Sequence, residues 1–589
     1  MRIKHFFGLA VLAAMTASCS SNNDLVVGGG NGSGENESGA SYASFSINLP
    51  TTSGTRADDG PTFDKGDVKE YDVFNATLLV FKKPTTATSE GEYTFVEHVD
   101  LGSMEPWKST SETGVTTQAK ITAKLSNVDK SGNYFALVLL NNGSGADAKV
   151  KLPTDGTTTT YSDWNKADNA TYTNFKDTKK GFYMANAPLY NADKSVTTLV
   201  PIKKENIFPT EAQASSGEAA ADIYVERGLA KVTLTTATKY EDVVGSTYVG
   251  DKVTISNWAL DVTNKKTFPI HNVDGLNKDY PDIWKNNAPA TTAPSNPSNQ
   301  RFVDNNESTK AKRVYWGVDP NYKENALYDV AGTTTREENF NYIKKENKKE
   351  KLTAKPTDPL YCLENTFNLD NMKQGQTTRV VFKGTYTPNS ITPDENGTFY
   401  KIGKNVALWN SEDLKKHILA AVTKVVADAS AEGATTTITL KGSDNDLTTA
   451  GNRMLKASNI TVKKATGDVV TLQTEDVQAI NDKLGLSEGY GISTYEKGES
   501  YYIARIKHFG DALTPWKSGV YDTKNLEYLG RYGVLRNNWY ELNVQSVSGP
   551  GYPDVPEVKP NTPDDEDDNY IKVSVKILNW AKRSQDVNL

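Results

Sequence analysis

The stretch Tyr570-Ile-Lys-Val-Ser-Val-Lys-Ile-Leu-Asn-Trp580 decides how this chain is read. Ile571, Val573, Val575 and Ile577 alternate with Lys572, Ser574 and Lys576, the period of two that gives a β-strand one apolar face, and Leu578 and Trp580 extend the apolar content. The strand stands alone at the end of the chain. Before it, residues 546–569 form a leash with five prolines and the acidic run Asp564-Asp-Glu-Asp-Asp568, a composition that resists collapse. A strand tethered in this way needs a sheet edge, and another molecule can supply one.

The same alternation recurs toward the N-terminus. Trp539 to Val547, Tyr501 to Phe509, Val253 to Leu260 and Tyr224 to Leu234 read as strands, and so do Tyr134 to Leu140, Lys120 to Leu125, Tyr93 to Val99 and Val73 to Phe81. Phe135 to Leu140 is apolar on both faces and reads as a central strand. The 29 Tyr and nine Trp favour pleated surfaces, while 43 Gly and 24 Pro supply turns, so an all-β protein with sandwich-like strand spacing is expected. With 589 residues there is room for more than one domain, and the pattern changes near residue 222. One helix interrupts it at about 411–431, with Leu414, Ile418, Val422 and Val425 on one stripe and Ser411 as cap; it should pack on the second sandwich. Thr474 to Leu484 is a weaker helix. Residues 270–310, rich in Asn, Pro and Ala, read as surface loops.

At the N-terminus, Arg2, Lys4 and His5 precede an apolar run from Phe6 to Met15, then Thr16-Ala17-Ser18-Cys19, as in a bacterial lipoprotein signal. Cys19 is the expected site of acylation, palmitate included, and puts the precursor at the outer membrane. No other segment has the roughly 20 apolar residues needed to span a bilayer, so membrane contact is through that lipid alone. Cys362 is then a lone thiol in an apolar setting and reads as a small hydrophobe. Beyond a Gly/Ser/Asn-rich tether, Ala43, Phe45, Ile47 and Leu49 alternate with Tyr42, Ser44, Ser46 and Asn48 as in a half-buried strand. It runs into a polar loop holding Arg56, which no other arginine approaches before Arg227. Such an arginine is an apt handle for a trypsin-like protease.

The net charge of −7 leaves no basic footprint for nucleic acid. The histidines at 98, 271, 417 and 508 stand singly, and no metal-ligand spacing, nucleophile elbow or phosphate loop occurs. No cofactor, metal or catalytic residue is expected, and the protein reads as a non-enzyme. Instead the two ends of the chain explain each other. If cutting after Arg56 releases Ser41 to Leu49, an apolar groove opens, and the C-terminal strand of another subunit has matching alternation.

With those residues in view, the chain resembles the major fimbrial subunits, or fimbrillins, of the Bacteroidales type V pilus class. The resemblance rests on the leader ending at Cys19, the Arg56-Ala57 junction, Val225-Glu-Arg-Gly-Leu-Ala-Lys231, Arg536-Asn-Asn-Trp-Tyr-Glu-Leu-Asn-Val544 with the following Ser546 to Pro553, and the closing Val573 to Trp580. It implies two transthyretin-like β-sandwich domains; the helix at 411–431, read as an insertion in the second, and the loops at 270–310 depart from the family pattern. The implied division is 1–19 signal, 20–56 propeptide with a removable strand (Phe45, Ile47, Leu49), 57–222 and 223–545 sandwiches, 546–569 leash and 570–589 donor strand (Ile571, Val573, Val575, Ile577, Leu578, Trp580). It also implies removal of the propeptide by an Arg-specific protease between Arg56 and Ala57, polymerisation with identical and other fimbrial subunits by strand exchange, a place in a surface fimbrium, and a part in adhesion through a receptor the sequence does not name. The alternative from a different class is a monomeric surface lipoprotein that binds glycans through exposed aromatic rings.

Overall fold

The computed structural model describes residues 40–49, 70, 72–102, 118–191, 195–235, 239–240, 243–284, 301–303, 312–323, 335–514, 526–564 and 571–579. Its first unit is built from the alternating segments β1 (Ser41–Asn48), β2 (Ala76–Lys82), β3 (Thr94–Asp100), β4 (Gln118–Leu125), β5 (Tyr134–Leu140), β6 (Met184–Asn186) and β7 (Ala221–Arg227). They form one eight-stranded sheet in the order β3-β2-β5-β6-β7-β1-β4, with Val200–Pro201 pairing onto β5. The sheet curls until its ends approach: the Glu97 carboxylate on β3 accepts the backbone N–H groups of Ser126 and Asn127, just past β4, at 3.0 Å each. Phe45, Ile47, Leu78, Val80, Val138, Leu140, Ile223 and Val225 fill the inside. Leu79, Phe81, Leu137 and Leu139 face the other way, against Tyr161, Trp164 and Phe175. β5, apolar on both faces, is thus buried on both, as its sequence requires. A short helix, α1 (Glu211–Ser216), precedes β7.

The second unit comprises β8 (Ala230–Leu234), β9 (Lys252–Asp261), β10 (Leu360–Cys362), β11 (Arg379–Thr387), β12 (Glu499–Arg505), β13 (Asn538–Val547) and β14 (Ile571–Asn579). One sheet runs β10-β8-β13-β14; the other runs Lys239–Tyr240, β9, β11, β12. Val232, Tyr540 and Leu542 of the first share a core with Val253, Trp258, Phe382 and Tyr502 of the second, so these sheets form a sandwich. Among the described residues strand outweighs helix. The first unit, however, is a single curled sheet rather than two facing ones, and the chain changes sheet at Gly228-Leu229, so a cut at 222 would pass through β7.

Two expectations need correction. The long helix, α2 (Ser411–Val425), is shorter than the 411–431 stripe, and its N-terminus is capped by Asn410, whose Oδ1 accepts the Asp413 N–H at 2.9 Å, not by Ser411. It does not lie on the sandwich: Leu414, Ile418 and Val422 pack with Ile438, Val462 and Ile480 in a separate core, the last from α3 (Thr474–Lys483). The reason is that the paired segments Thr435–Ile438 and Ile460–Lys463 give the helix its own apolar floor. This α/β unit is inserted between β11 and β12, which remain antiparallel neighbours. The reading of 270–310 as surface loops also fails where the chain is described: Leu276, Ile283, Trp284 and Phe302 are buried in an aromatic core with Trp316 and Phe509.

Candidate assembly site

β1 is an interior strand. It pairs antiparallel with β4 from Ser41↔Leu125 to Asn48↔Gln118 and parallel with β7 from Phe45↔Ala221 to Asn48↔Tyr224. Tyr42 and Phe208 exchange both backbone hydrogen bonds at 2.8 Å, and the Ala220 N–H donates to the Ser44 carbonyl at 2.6 Å. The removable segment is therefore not at a sheet edge. Ala43, Phe45 and Ile47 have no exposed surface and Leu49 almost none. Ser44, on the opposite face, is equally buried, because α1 crosses over it: Ser44 Oγ donates to the Ala214 carbonyl at 2.6 Å and lies 2.9 Å from Thr122 Oγ1. Lys120 of β4 ties the helix down by donating from Nζ to the carbonyls of Ser215, at 2.9 Å, and Gly217. Instead of a half-buried strand, β1 is enclosed on both faces and both edges.

The C-terminal strand is docked at home. β14 pairs antiparallel with β13 from Val547↔Ile571 to Asn538↔Asn579, with a register shift between Val544 and Ser546, and it forms the edge of its sheet. The leash is docked too, contrary to its reading as a free spacer. Tyr552 and Tyr501 exchange backbone hydrogen bonds at 2.9 and 2.8 Å. The Tyr495 and Tyr502 hydroxyls donate to the carbonyls of Gly551 and Gly549, and Arg379 donates to that of Pro556 at 2.8 Å. Lys348 meets Asp554 at 2.6 Å, and Arg505 Nε meets Asp564 at 2.6 Å, the latter pair almost fully buried. Prolines exclude this segment from a regular ladder, but their extended backbone leaves carbonyls free to accept from side chains. Only residues 565–570 separate Asp564 from β14, a reach of roughly 20–25 Å at about 3.5 Å per residue while the latch holds, against on the order of 70 Å for a free leash.

Two sequence segments far apart in the chain meet where the units join. β8 runs parallel to β13 with Lys231 opposite Trp539, and Lys231 Nζ lies 4.0 Å from the Trp539 ring centroid and 2.6 Å from Glu70 Oε1. The Arg227 N–H donates to Asn537 Oδ1, and the Asn537 N–H to the Leu229 carbonyl. Arg536 pairs with Glu364 in the interior. Burial alone would raise the Glu226 carboxyl, but His271 at 2.8 Å, with Arg313 and Arg536 beyond, holds it below the ordinary carboxylate range. The Lys231–Glu70 pair and the Arg227–Asn537 and Asn537–Leu229 bonds tie the units at this junction, and sequence reading missed the long-range ones because each partner lies far from the other along the chain.

Cys19, Arg56, Ala57 and Trp580 lie outside the described residues. Among the described residues no cluster of His, Cys, Asp or Glu is placed to hold a metal, and no helix is long and apolar enough to cross a membrane. His271 and His508 are buried, each hydrogen-bonded through both ring nitrogens, the latter to the Tyr540 hydroxyl and the Tyr315 carbonyl at 2.8 Å. His98 forms an exposed pair with Asp155. Burial pushes the Cys362 thiol up to about 12, so it is held protonated.

Residues 493–586 match the family described as major fimbrial subunit protein type IV, Fimbrillin, C-terminal. The match spans β12, β13, the docked leash and β14 together. Over these residues the chain is similar to the C-terminal region of the fimbrillins. Among solved structures, the chain is similar to a candidate cell adhesion protein from Parabacteroides distasonis, with 11% identity over 92% of this chain and 98% of that one and a TM-score of 0.34. No curated protein matches.

Proposed function

We propose that this chain is a fimbrial subunit, exported as a lipoprotein acylated at Cys19, cut between Arg56 and Ala57 by an Arg-specific protease, and polymerised when residues 571–579 of a second copy enter the slot that β1 leaves. The polymer is a surface fimbrium, built with identical and other fimbrial subunits, that supports adhesion. The observation that carries this reading is the position of β1. It precedes every other described element, it supplies buried Phe45, Ile47 and Leu49 to the first core, and residues 50–69, with Arg56 among them, connect it to the rest. One cut in that connection makes an interior strand separable, which a strand in the middle of the chain could never be. Its vacancy leaves β4 and β7 with unpaired backbone groups on facing edges, and buried groups of that kind must find partners.

The test is N-terminal sequencing of fibres together with a donor-strand variant. Mature subunits should begin at Ala57 and form SDS-resistant multimers, and Val573→Asp with Val575→Asp should abolish the multimers while leaving a folded monomer. Fibres that begin at Cys19, or ladders that persist in the double variant, overturn the proposal.

A further inference from the structure

We propose that the donated strand is held in a single register by one buried serine position: Ser574 of the second copy takes the place that Ser44 holds between β4 and α1, running in the direction of β1. This rests on the assembly reading above and specifies its partner surface.

The place is small and polar. Ser44 is fully buried, its Oγ bracketed by the Ala214 carbonyl at 2.6 Å and Thr122 Oγ1 at 2.9 Å. α1 roofs the slot, and Lys120 fastens it to β4 through the carbonyls of Ser215 and Gly217. The roof is thus anchored to a strand that stays when β1 goes. An incoming strand meets a ceiling that admits a short side chain with a hydroxyl at one point along its polar face. A longer side chain displaces α1, and an apolar one forfeits both hydrogen bonds.

Residues 571–579 offer Lys572, Ser574, Lys576 and Leu578 at alternate positions, and among these Ser574 alone is short. Setting it at the Ser44 position places Val573, Val575 and Ile577 where Ala43, Phe45 and Ile47 enter the first core. Lys572 and Leu578 then fall at Tyr42 and Asn48, both partly exposed. Lys576 falls at Ser46, which is nearly buried but lies beside the exposed Asp222 of β7, so a long side chain there can run outward and bring its charge to an opposite one. A shift by two residues toward the C-terminus of the slot puts Lys572 under the roof instead, where its length excludes it. Direction follows from the walls. The backbone groups of β4 are set for an antiparallel neighbour and those of β7 for a parallel one, and reversal mismatches both.

The experiment is cysteine cross-linking in the mature chain starting at Ala57. Ser44 and Thr122 are cross-strand neighbours, so under boiling in SDS long enough to dissociate the unsubstituted multimers, Thr122→Cys with Ser574→Cys should still give multimers, which fall to monomers on reduction. Lys120→Cys with Lys576→Cys should do the same, since Lys120 faces Ser46. Thr122→Cys linking to Lys572→Cys or Lys576→Cys overturns the register, and Lys120→Cys linking to Lys572→Cys overturns the direction. Ser574→Leu, free of introduced cysteines, should lower multimer yield at least ten-fold, and an undiminished yield refutes the serine requirement. Absence of multimers from the unsubstituted mature chain refutes the assembly reading itself, so the two failures are told apart.

Discussion

Phe45→Ala in the uncleaved chain tests whether β1 is an integral part of the first core. Phe45 has no exposed surface and sits between Ile121 of β4 and Ala221 of β7 in the two ladders. Burial of Phe45, Ile47 and Leu49 together contributes roughly 5–9 kcal/mol at about 1.5–3 kcal/mol per side chain. Truncating the phenyl ring removes its share and leaves a cavity, for an expected loss of about 3–5 kcal/mol. Since 1.4 kcal/mol is a factor of ten, amide exchange of the facing β4 and β7 segments, followed by mass spectrometry, should accelerate ~10²–10³-fold. The same substitution should hasten multimer formation once protease is added, because β1 leaves more readily, while fibres still begin at Ala57 and carry no trace of the variant. Exchange that rises less than about ten-fold refutes the argument, since an alanine could then replace the ring without loss of anchoring.

Asp564→Asn removes the carboxylate charge that meets Arg505 Nε at 2.6 Å in a nearly buried pair, which costs up to about 3–5 kcal/mol locally, and limited proteolysis should find new cuts between 548 and 564; an unchanged digest refutes the latch. Replacing 403–491 by Asn-Gly closes a two-residue hairpin on the paired Ile402 and Ile492, and the shortened chain should still fold and form multimers; a folded chain that forms none shows that the inserted unit takes part in assembly. Burial pushes the Glu90 carboxyl up to about 7, outweighing the N–H groups of Leu199 and Thr198 that hydrogen-bond to it. Its residue keeps some exposed surface but turns the carboxyl inward. The native form then binds a proton below about 7 and the unfolded form only below about 4.5, so folding is favoured as pH falls through that window. Glu90→Gln should flatten the change in unfolding temperature between pH 7.5 and pH 5, and an unchanged slope refutes it.

What sequence could and could not convey follows from which atoms make each contact. β5 has the bounds its apolar run predicts, because side chains apolar on both faces can be satisfied only in a sheet covered on both sides. β13 and the start of α2 are legible for the same reason, their periodicities being carried by side chains. The enclosure of β1 was not legible. Alternation reports that one face is apolar, but the roof over the other face is made by α1 carbonyls, and carbonyls have no letter in the sequence. The leash misled in the same way: Gly549, Gly551 and Pro556 are held by their carbonyls, and Asp564 heads a run of acids that reads as solvated although it is itself buried against Arg505. Among the assigned assembly residues, the burial of Phe45, Ile47 and Leu49 and the strand state of 571–578 were readable. That the tail strand already has a partner was not.

That home pairing bears on whether the proposed exchange can run downhill. At home β14 is an edge strand with one ladder, to β13; in the slot of β1 it would have two, to β4 over eight residue pairs and to β7 over four. Leaving β13 gives up a ladder of similar length to the one regained against β4. The ladder to β7 is then surplus, worth a few kcal/mol if each hydrogen bond contributes about 1 kcal/mol net. Closure under α1 adds to it. The exchange is therefore driven by a move from the edge of one sheet to the interior of another. Monomers with β1 still in place have no such slot to offer, so the tail stays home. In the proposed scheme cleavage would thereby be the switch, with no other signal required. An uncleavable Arg56→Gln chain should remain monomeric at concentrations where the mature chain is fully assembled. If it multimerises equally, the slot of β1 is not where the tail goes.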